Sequence, residues 1–173
     1  KMGIFDSIED RYPSFLSNFF IYYWQRLGKD ELTLRMSAVI FGMLTILAIY
    51  QIGKSLFGNK TGLLAAFILA ISPMHIYYSR EVRMYSMVAL TALLSAYYFI
   101  KALRYGKLRF WFAYLVFNLV CIYVHFMTIF ILLAEVIFFL IYCKKYRNLF
   151  KRWLSVHVIL FLFLIPWLIN AVS

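Results

Sequence analysis

The chain has 173 residues, of which 65% are hydrophobic and 21% aromatic, and only 14% are charged. Soluble domains run near half apolar and a quarter charged, so a water-soluble fold is excluded and lipid is the solvent this composition requires. The formal charge of +11 reads as membrane topology, because Lys and Arg collect in cytoplasmic loops; no nucleic acid is expected as a partner.

Residues 1–11 are polar and acidic, with Asp6, Glu9 and Asp10. The chain begins Lys-Met without the layout of a signal peptide, and is expected to be a fragment lacking an upstream helix. Next, Tyr12, Phe15, Leu16, Phe19, Phe20, Tyr23, Trp24 and Leu27 recur at steps of three and four, one face of a helix. Ser14, Ser17, Asn18, Gln25 and Arg26 fall elsewhere on the wheel. This predicts an amphipathic helix at the membrane interface, with a packed helix of soluble type as the alternative, and a stop at Gly28. Residues 1–33 are therefore an outer-face segment with an interfacial helix.

Residues 34–173 form a transmembrane helical domain. Six apolar runs, at about 34–53, 62–78, 84–100, 110–126, 127–143 and 153–172, are each long enough for a hydrocarbon core of roughly 30 Å. The fourth and fifth run together, and a tight re-entry is expected at Tyr123-Val124-His125-Phe126. The expected fold is all-α: a polytopic transmembrane helix bundle of about six spans plus the interfacial helix. Gly62, Ala66 and Ala70 make a small-residue stripe for close helix packing. Pro73 and Pro166 are tolerable inside spans if neighbours satisfy the freed carbonyls. Cys121 and Cys143 fall near opposite faces, too far apart to pair.

Charge orients the bundle. Lys54 and Lys60, then Lys101, Arg104, Lys107 and Arg109, then Lys144, Lys145, Arg147, Lys151 and Arg152 occupy three loops on one side without an acid. The other side mixes Lys1, Arg11, Arg26, Lys29, Arg35, Arg80 and Arg83 with Asp6, Glu9, Asp10, Asp30, Glu31 and Glu81. The uniformly basic side is placed in the cytoplasm. The sequon Asn59-Lys60-Thr61 then lies inside and is expected to be unmodified.

Chemistry concentrates in the outer turn Tyr77-Tyr78-Ser79-Arg80-Glu81-Val82-Arg83-Met84-Tyr85. Arginine offers a planar fork of donors suited to phosphate. Glutamate can bind a metal, accept sugar hydroxyls or hold an arginine, and tyrosines can stack on sugars. Interfacial anchoring explains the same residues equally well. His125 sits at the other outer turn, where a structural role competes with a functional one. His75 has weaker support, and His157 is given no role. Glu135, at mid-span, costs roughly 2.5–3.5 kcal/mol on insertion scales; it must face the bundle, protonated or hydrogen-bonded, with Asn118 as a candidate partner. No nucleotide-binding loop, CxxC pair or HExxH motif occurs, which disfavours a soluble nucleotide-sugar enzyme and a zinc protease.

The order of motifs resembles a known family. Asp10-Arg11-Tyr12-Pro13-Ser14 leads an aromatic helix. Gly28-Lys29-Asp30-Glu31-Leu32-Thr33-Leu34-Arg35, Ser37-Ala38-Val39-Ile40-Phe41-Gly42 and Tyr50-Gln51-Ile52-Gly53-Lys54-Ser55-Leu56-Phe57-Gly58 follow. The series ends at Leu69-Ala70-Ile71-Ser72-Pro73-Met74-His75-Ile76 and the charged turn through Ser86. Over residues 10–100 this resembles the GT-C membrane glycosyltransferases of the protein O-mannosyltransferase and aminoarabinose-transferase-like superfamily. Over 101–173 the likeness is looser and rests on Tyr123-Val124-His125.

The resemblance implies a sugar donor linked to polyprenyl phosphate, an acceptor protein, lipid or glycan, and a bilayer around the enzyme. It implies catalytic roles for Glu81 and Asp10. Arg83, Arg80, Tyr85, Tyr78 and His125 would bind phosphate and sugar. A divalent metal of no fixed identity would be held by Glu81 and His125. It also implies a multi-pass protein of a prokaryotic plasma membrane, or alternatively of the endoplasmic reticulum, with its active face away from the cytoplasm. Two departures stand out. The family's paired acidic motif precedes its proline motif by more residues than are present here, with Asp6 or Glu9 as weak substitutes. Its His-Pro-Pro reads Tyr12-Pro13-Ser14. The expectation is a transferase core module, inactive alone; a non-catalytic membrane subunit and a small transporter segment lined by Glu135 and Asn118 are the alternatives.

Overall fold

The structure is a computed structural model that describes residues 15–28, 30–83 and 85–172, except the side chains of residues 15, 17, 126 and 166–172. All regular structure among the described residues is helical. The helices are α1 (Phe15–Trp24), α2 (Glu31–Phe57), α3 (Asn59–Ala70), α4 (Pro73–Tyr78), α5 (Tyr85–Tyr105), α6 (Leu108–Val124), α7 (Ile129–Ile141) and α8 (Phe150–Val172). Short 3-10 turns lie at Phe126–Thr128 and Arg147–Leu149. The protein is an all-α helical membrane bundle.

Helices α2, α5 and the stretch Arg147–Ile165 are long and apolar enough to cross a membrane, while α3, α6 and α7 are apolar but shorter. At 1.5 Å rise per residue α2 spans about 40 Å. Its start is fixed by Asp30, whose carboxylate accepts the Thr33 N–H at 3.0 Å and the Thr33 hydroxyl at 2.7 Å. That bond pairs an amide left over at the helix start.

The run 62–78 divides into two helices. Ser72 has an extended backbone (φ −66°, ψ 119°) and Pro73 opens α4. Proline disfavours the helical conformation in the residue before it, and at a first helical position it loses no hydrogen bond. The run 110–143 breaks at His125 (φ −159°, ψ 122°). The His125 carbonyl then accepts the Thr128 N–H at 3.0 Å and hydroxyl at 2.7 Å, which turns the chain into α7.

The main core lies between α5, α6, α7 and α8. Phe99, Trp111, Tyr114, Phe139, Trp153 and Leu160 are buried in it, and the Phe139 and Trp153 rings stack at 4.4 Å, tilted by only 4°. Outside the core, Leu63, Leu64, Phe67 and Ile68 on α3 and Phe161, Leu162 and Phe163 on α8 are exposed. An apolar outer surface on this scale is a lipid-facing one.

Helix α1 packs on α2, α5 and α6 through Leu16, Phe20 and Ile21, which meet Phe41, Met87, Val88, Val120 and Val124. The Trp24 indole donates to the Thr33 carbonyl at 2.7 Å. Phe19, Tyr22, Tyr23 and Leu27 are exposed. The expected aromatic stripe thus splits: Leu16, Phe20 and Trp24 turn inward with Ile21, and Phe19 and Tyr23 face out. The helix ends at Trp24, four residues before Gly28. Tyr12 lies outside the described residues.

Helices α2 and α3 touch backbone to backbone. A Cβ on Gly53 would stand 2.7 Å from the Gly62 Cα, and one on Gly62 would stand 2.6 Å from both the Lys54 nitrogen and the Tyr50 oxygen. Ala66 continues the buried stripe, whereas Ala70 is exposed. Gly62→Val should therefore force the helices apart and lower stability by about 1–3 kcal/mol, the usual cost of overpacking. Thermal unfolding in detergent measures this, and an unchanged midpoint contradicts the contact.

Candidate functional site

Two turns and the start of α2 meet at one end of the bundle. Gly42 of α2 lies against Ser79 at the end of α4, where an added Cβ would approach the Ser79 Cβ at 2.7 Å and the His75 Nε2 at 3.8 Å. Two turns earlier on α2, Arg35 donates to the Arg80 carbonyl at 3.0 Å. The same guanidinium binds Glu31 Oε1 through Nε at 2.9 Å and a terminal nitrogen at 2.5 Å. This exposed pair adds little stability, but it fixes where the Arg80 peptide sits.

The aromatic residues form a connected run. Tyr77 and Tyr78 rings are 5.3 Å apart, Tyr78 and Tyr85 are 4.9 Å apart, and Tyr85 and His125 are 6.2 Å apart. Arg83 donates to the Tyr85 hydroxyl at 3.4 Å. Glu81, by hydrogen bonding first and by its charge second, holds the exposed Tyr77 phenol above its ordinary value. The residues named from sequence therefore join in two groups: Arg83, Tyr78, Tyr85 and His125 in one, and Glu81 on Tyr77 beside it.

His125 Nδ1 accepts the Met127 N–H at 3.3 Å. An imidazole nitrogen that accepts carries no proton, so the neutral ring bears its proton on Nε2. Arg80 and Arg83 have exposed side chains, and Glu81, Tyr78, Tyr85 and His125 are half-buried. His75 Nε2 and Ser79 Oγ are buried with no hydrogen-bond partner among the described residues. Asp10, Asp6 and Glu9 lie outside the described residues. Among the described residues no group of three or more His, Cys, Asp and Glu could hold a metal ion.

A second polar group lies in the core. Glu135 is 6% exposed. It accepts Ser95 Oγ at 3.0 Å and Asn118 Nδ2 at 3.4 Å. Asn118 also donates to Ser95 Oγ at 2.7 Å and to the Tyr114 carbonyl at 3.3 Å. The Tyr114 hydroxyl stands 3.4 Å from His157 Nε2, and His157 Nδ1 stands 2.8 Å from the Trp153 carbonyl. Asn118 was legible as a partner from sequence. Ser95, Tyr114 and Arg35 were not: a serine or tyrosine in an apolar run has no distinctive signal, and the only hint for Arg35 is its i,i+4 spacing from Glu31.

A family model described as dolichyl-phosphate-mannose-protein mannosyltransferase matches residues 13–169. On an all-helical membrane bundle, that match defines a membrane glycosyltransferase of the GT-C type. The chain belongs to the dolichyl-phosphate-mannose-protein mannosyltransferase family. No curated protein and no solved structure matches it.

Two outcomes follow. Thr33, by side chain first and backbone second, holds the Asp30 carboxyl below its ordinary value of 3.8. A depressed folded value means the cap stabilises α2 above the unfolded value and is lost as pH falls below 3.8 and through the folded one. Asp30→Asn should remove that acid sensitivity in thermal melts taken from pH 5 downward; an unaltered pH slope contradicts it. In the core, Glu135→Ala should cost about 1–3 kcal/mol by leaving Ser95 and Asn118 short of an acceptor, while Glu135→Gln keeps most of the stability. Equal melting of the two variants contradicts a holding role for the network.

Proposed function

We propose that the protein transfers a sugar from a polyprenyl-phosphate carrier to an acceptor at the bundle end that holds Glu81, Arg83, Tyr85 and His125. The observation that supports this reading is the Arg83–Tyr85–His125 run. It joins a cationic fork, a stacking ring and an imidazole from two separate turns, in a chain of this family.

The acceptor oxygen or nitrogen attacks the anomeric carbon. The bond from that carbon to the phosphate oxygen breaks, with inversion, and polyprenyl phosphate leaves. The acceptor proton passes to a carboxylate, for which Glu81 and Asp10 are the candidates. Arg83 neutralises the charge that builds on the departing phosphate, and Arg80 adds a second cation. Stabilising that charge is the larger contribution. Tyr78 and Tyr85 offer ring faces to the sugar. His125, protonated on Nε2, can donate to a sugar hydroxyl or a phosphate oxygen.

This end is read as facing away from the cytoplasm, with the acid-free basic loops inside. A prokaryotic plasma membrane is the proposed location. Transfer from a radiolabelled polyprenyl-phosphate sugar, measured in membranes carrying the protein, tests the assignment. Arg83→Ala and Glu81→Gln should each lower transfer by about 100-fold or more while the melting temperature holds. Transfer at the native rate in both variants removes these residues from the site.

A further inference from the structure

The opposite end of the bundle has a cavity of its own. It measures about 240 Å³ and is lined by Ser55, Lys101, Tyr105, Lys107, Arg109 and Phe110. We propose that this cavity binds a phosphate group, either the headgroup of a phosphate-bearing lipid or free phosphate.

The turn that builds it is short. Helix α5 ends at Tyr105 and α6 begins at Leu108. Gly106 between them has φ 65°, a left-handed conformation that a side chain would strain. The Gly106 carbonyl accepts a hydrogen bond from Arg152 at the start of α8. This reversal sets Lys101 and Tyr105 opposite Lys107 and Arg109, and Ser55 from the end of α2 supplies a third wall.

The cations are positioned rather than loose. Lys101 Nζ lies 4.3 Å from the Tyr97 ring centre and 5.6 Å from that of Phe110. The Arg109 guanidinium lies 4.7 Å from the Phe110 ring centre. Aromatic faces attract cations and hold these charges near the cavity. Lys107 is the N-cap of α6 and makes no side-chain cap bond. The positive end of that helix therefore adds to the same field.

None of the residues that line the cavity is acidic. Residues 32–80, 82–134 and 136–173 contain neither Asp nor Glu. Three like charges around one small cavity repel each other, and an anion from outside relieves that repulsion. The cavity sits at a helix end, and basic pockets at the ends of membrane helices take phosphate headgroups. The general excess of basic residues on one side explains the number of lysines but not a cavity that three cations share.

The test is calorimetric titration of the whole chain in uncharged detergent, with short-chain phosphatidic acid, short-chain phosphatidylcholine and inorganic phosphate as separate probes. Saturable binding of phosphatidic acid, weakened about tenfold by Lys101→Gln with Arg109→Gln and unchanged by Lys144→Gln with Lys145→Gln, is expected. If inorganic phosphate binds saturably and displaces the lipid, free phosphate is the ligand; if it does neither, the ligand is a lipid headgroup. Lys107→Gln, at an exposed position, should weaken binding by a smaller factor and keeps the test open should the double variant fail to fold. Absence of saturable binding by every phosphate probe, binding of phosphatidylcholine as tight as that of phosphatidic acid, or equal weakening by the Lys144 and Lys145 changes overturns the proposal.

Discussion

Hydrocarbon offers no hydrogen bonds, and the interior of this bundle is arranged around that fact. A polar group carried to membrane depth is costly unless it finds a partner inside the protein. Three buried hydroxyls do so locally: Ser37, Thr45 and Thr91 donate to the carbonyls of Leu34, Phe41 and Met87 on their own helices, whereas Ser86 Oγ and the indole nitrogens of Trp111 and Trp153 are buried with no hydrogen-bond partner among the described residues. Glu135 cannot pair locally, because a carboxylate needs donors. It draws Ser95 from α5 and Asn118 from α6 to one point, which helps fix how three helices face one another.

With the interior closed to solvent, chemistry is confined to the two ends, and the ends differ in kind. At one, Asp30 and Glu31 begin α2, where the helix dipole favours acids, and Arg35 carries that start onto the Arg80 peptide. Acids, arginines, tyrosines and a histidine meet there. At the other, Lys54 closes α2 and Arg104 closes α5, where the dipole favours cations, and no acid is present among the described residues. A reaction that needs both a proton acceptor and a phosphate partner suits the first end; only anion binding suits the second.

Much of this was legible in sequence, for physical reasons. Hydropathy marks helices because the bilayer demands continuous apolar length, and five of the six apolar runs are single helices. The break at His125 was readable because one straight helix through both runs would be far longer than a membrane is thick. The exception is 62–78. Its apolar character continues through Pro73, and hydropathy does not register a missing amide, so the division into α3 and α4 was hidden. The Gly62 stripe was visible, but its partner Gly53 was not, since spacing on one helix says nothing about the helix that packs against it. The same blindness to long-range contacts concealed the reach of Arg35 to Arg80, 45 residues away. For α1, a three-and-four repeat of aromatic residues defined a stripe wider than the packed face, because aromatics at an interface need not be buried.

The proposed site requires the two ends of the bundle to lie in different compartments. Single cysteines at Met127, beside His125, and at Lys107, in the basic cavity, placed in a chain with Cys121 and Cys143 replaced by alanine, can be labelled with a membrane-impermeant reagent in sealed cells. Met127→Cys should react from outside, and Lys107→Cys only after the membrane is opened. Labelling of both from the same side contradicts the topology and, with it, the site.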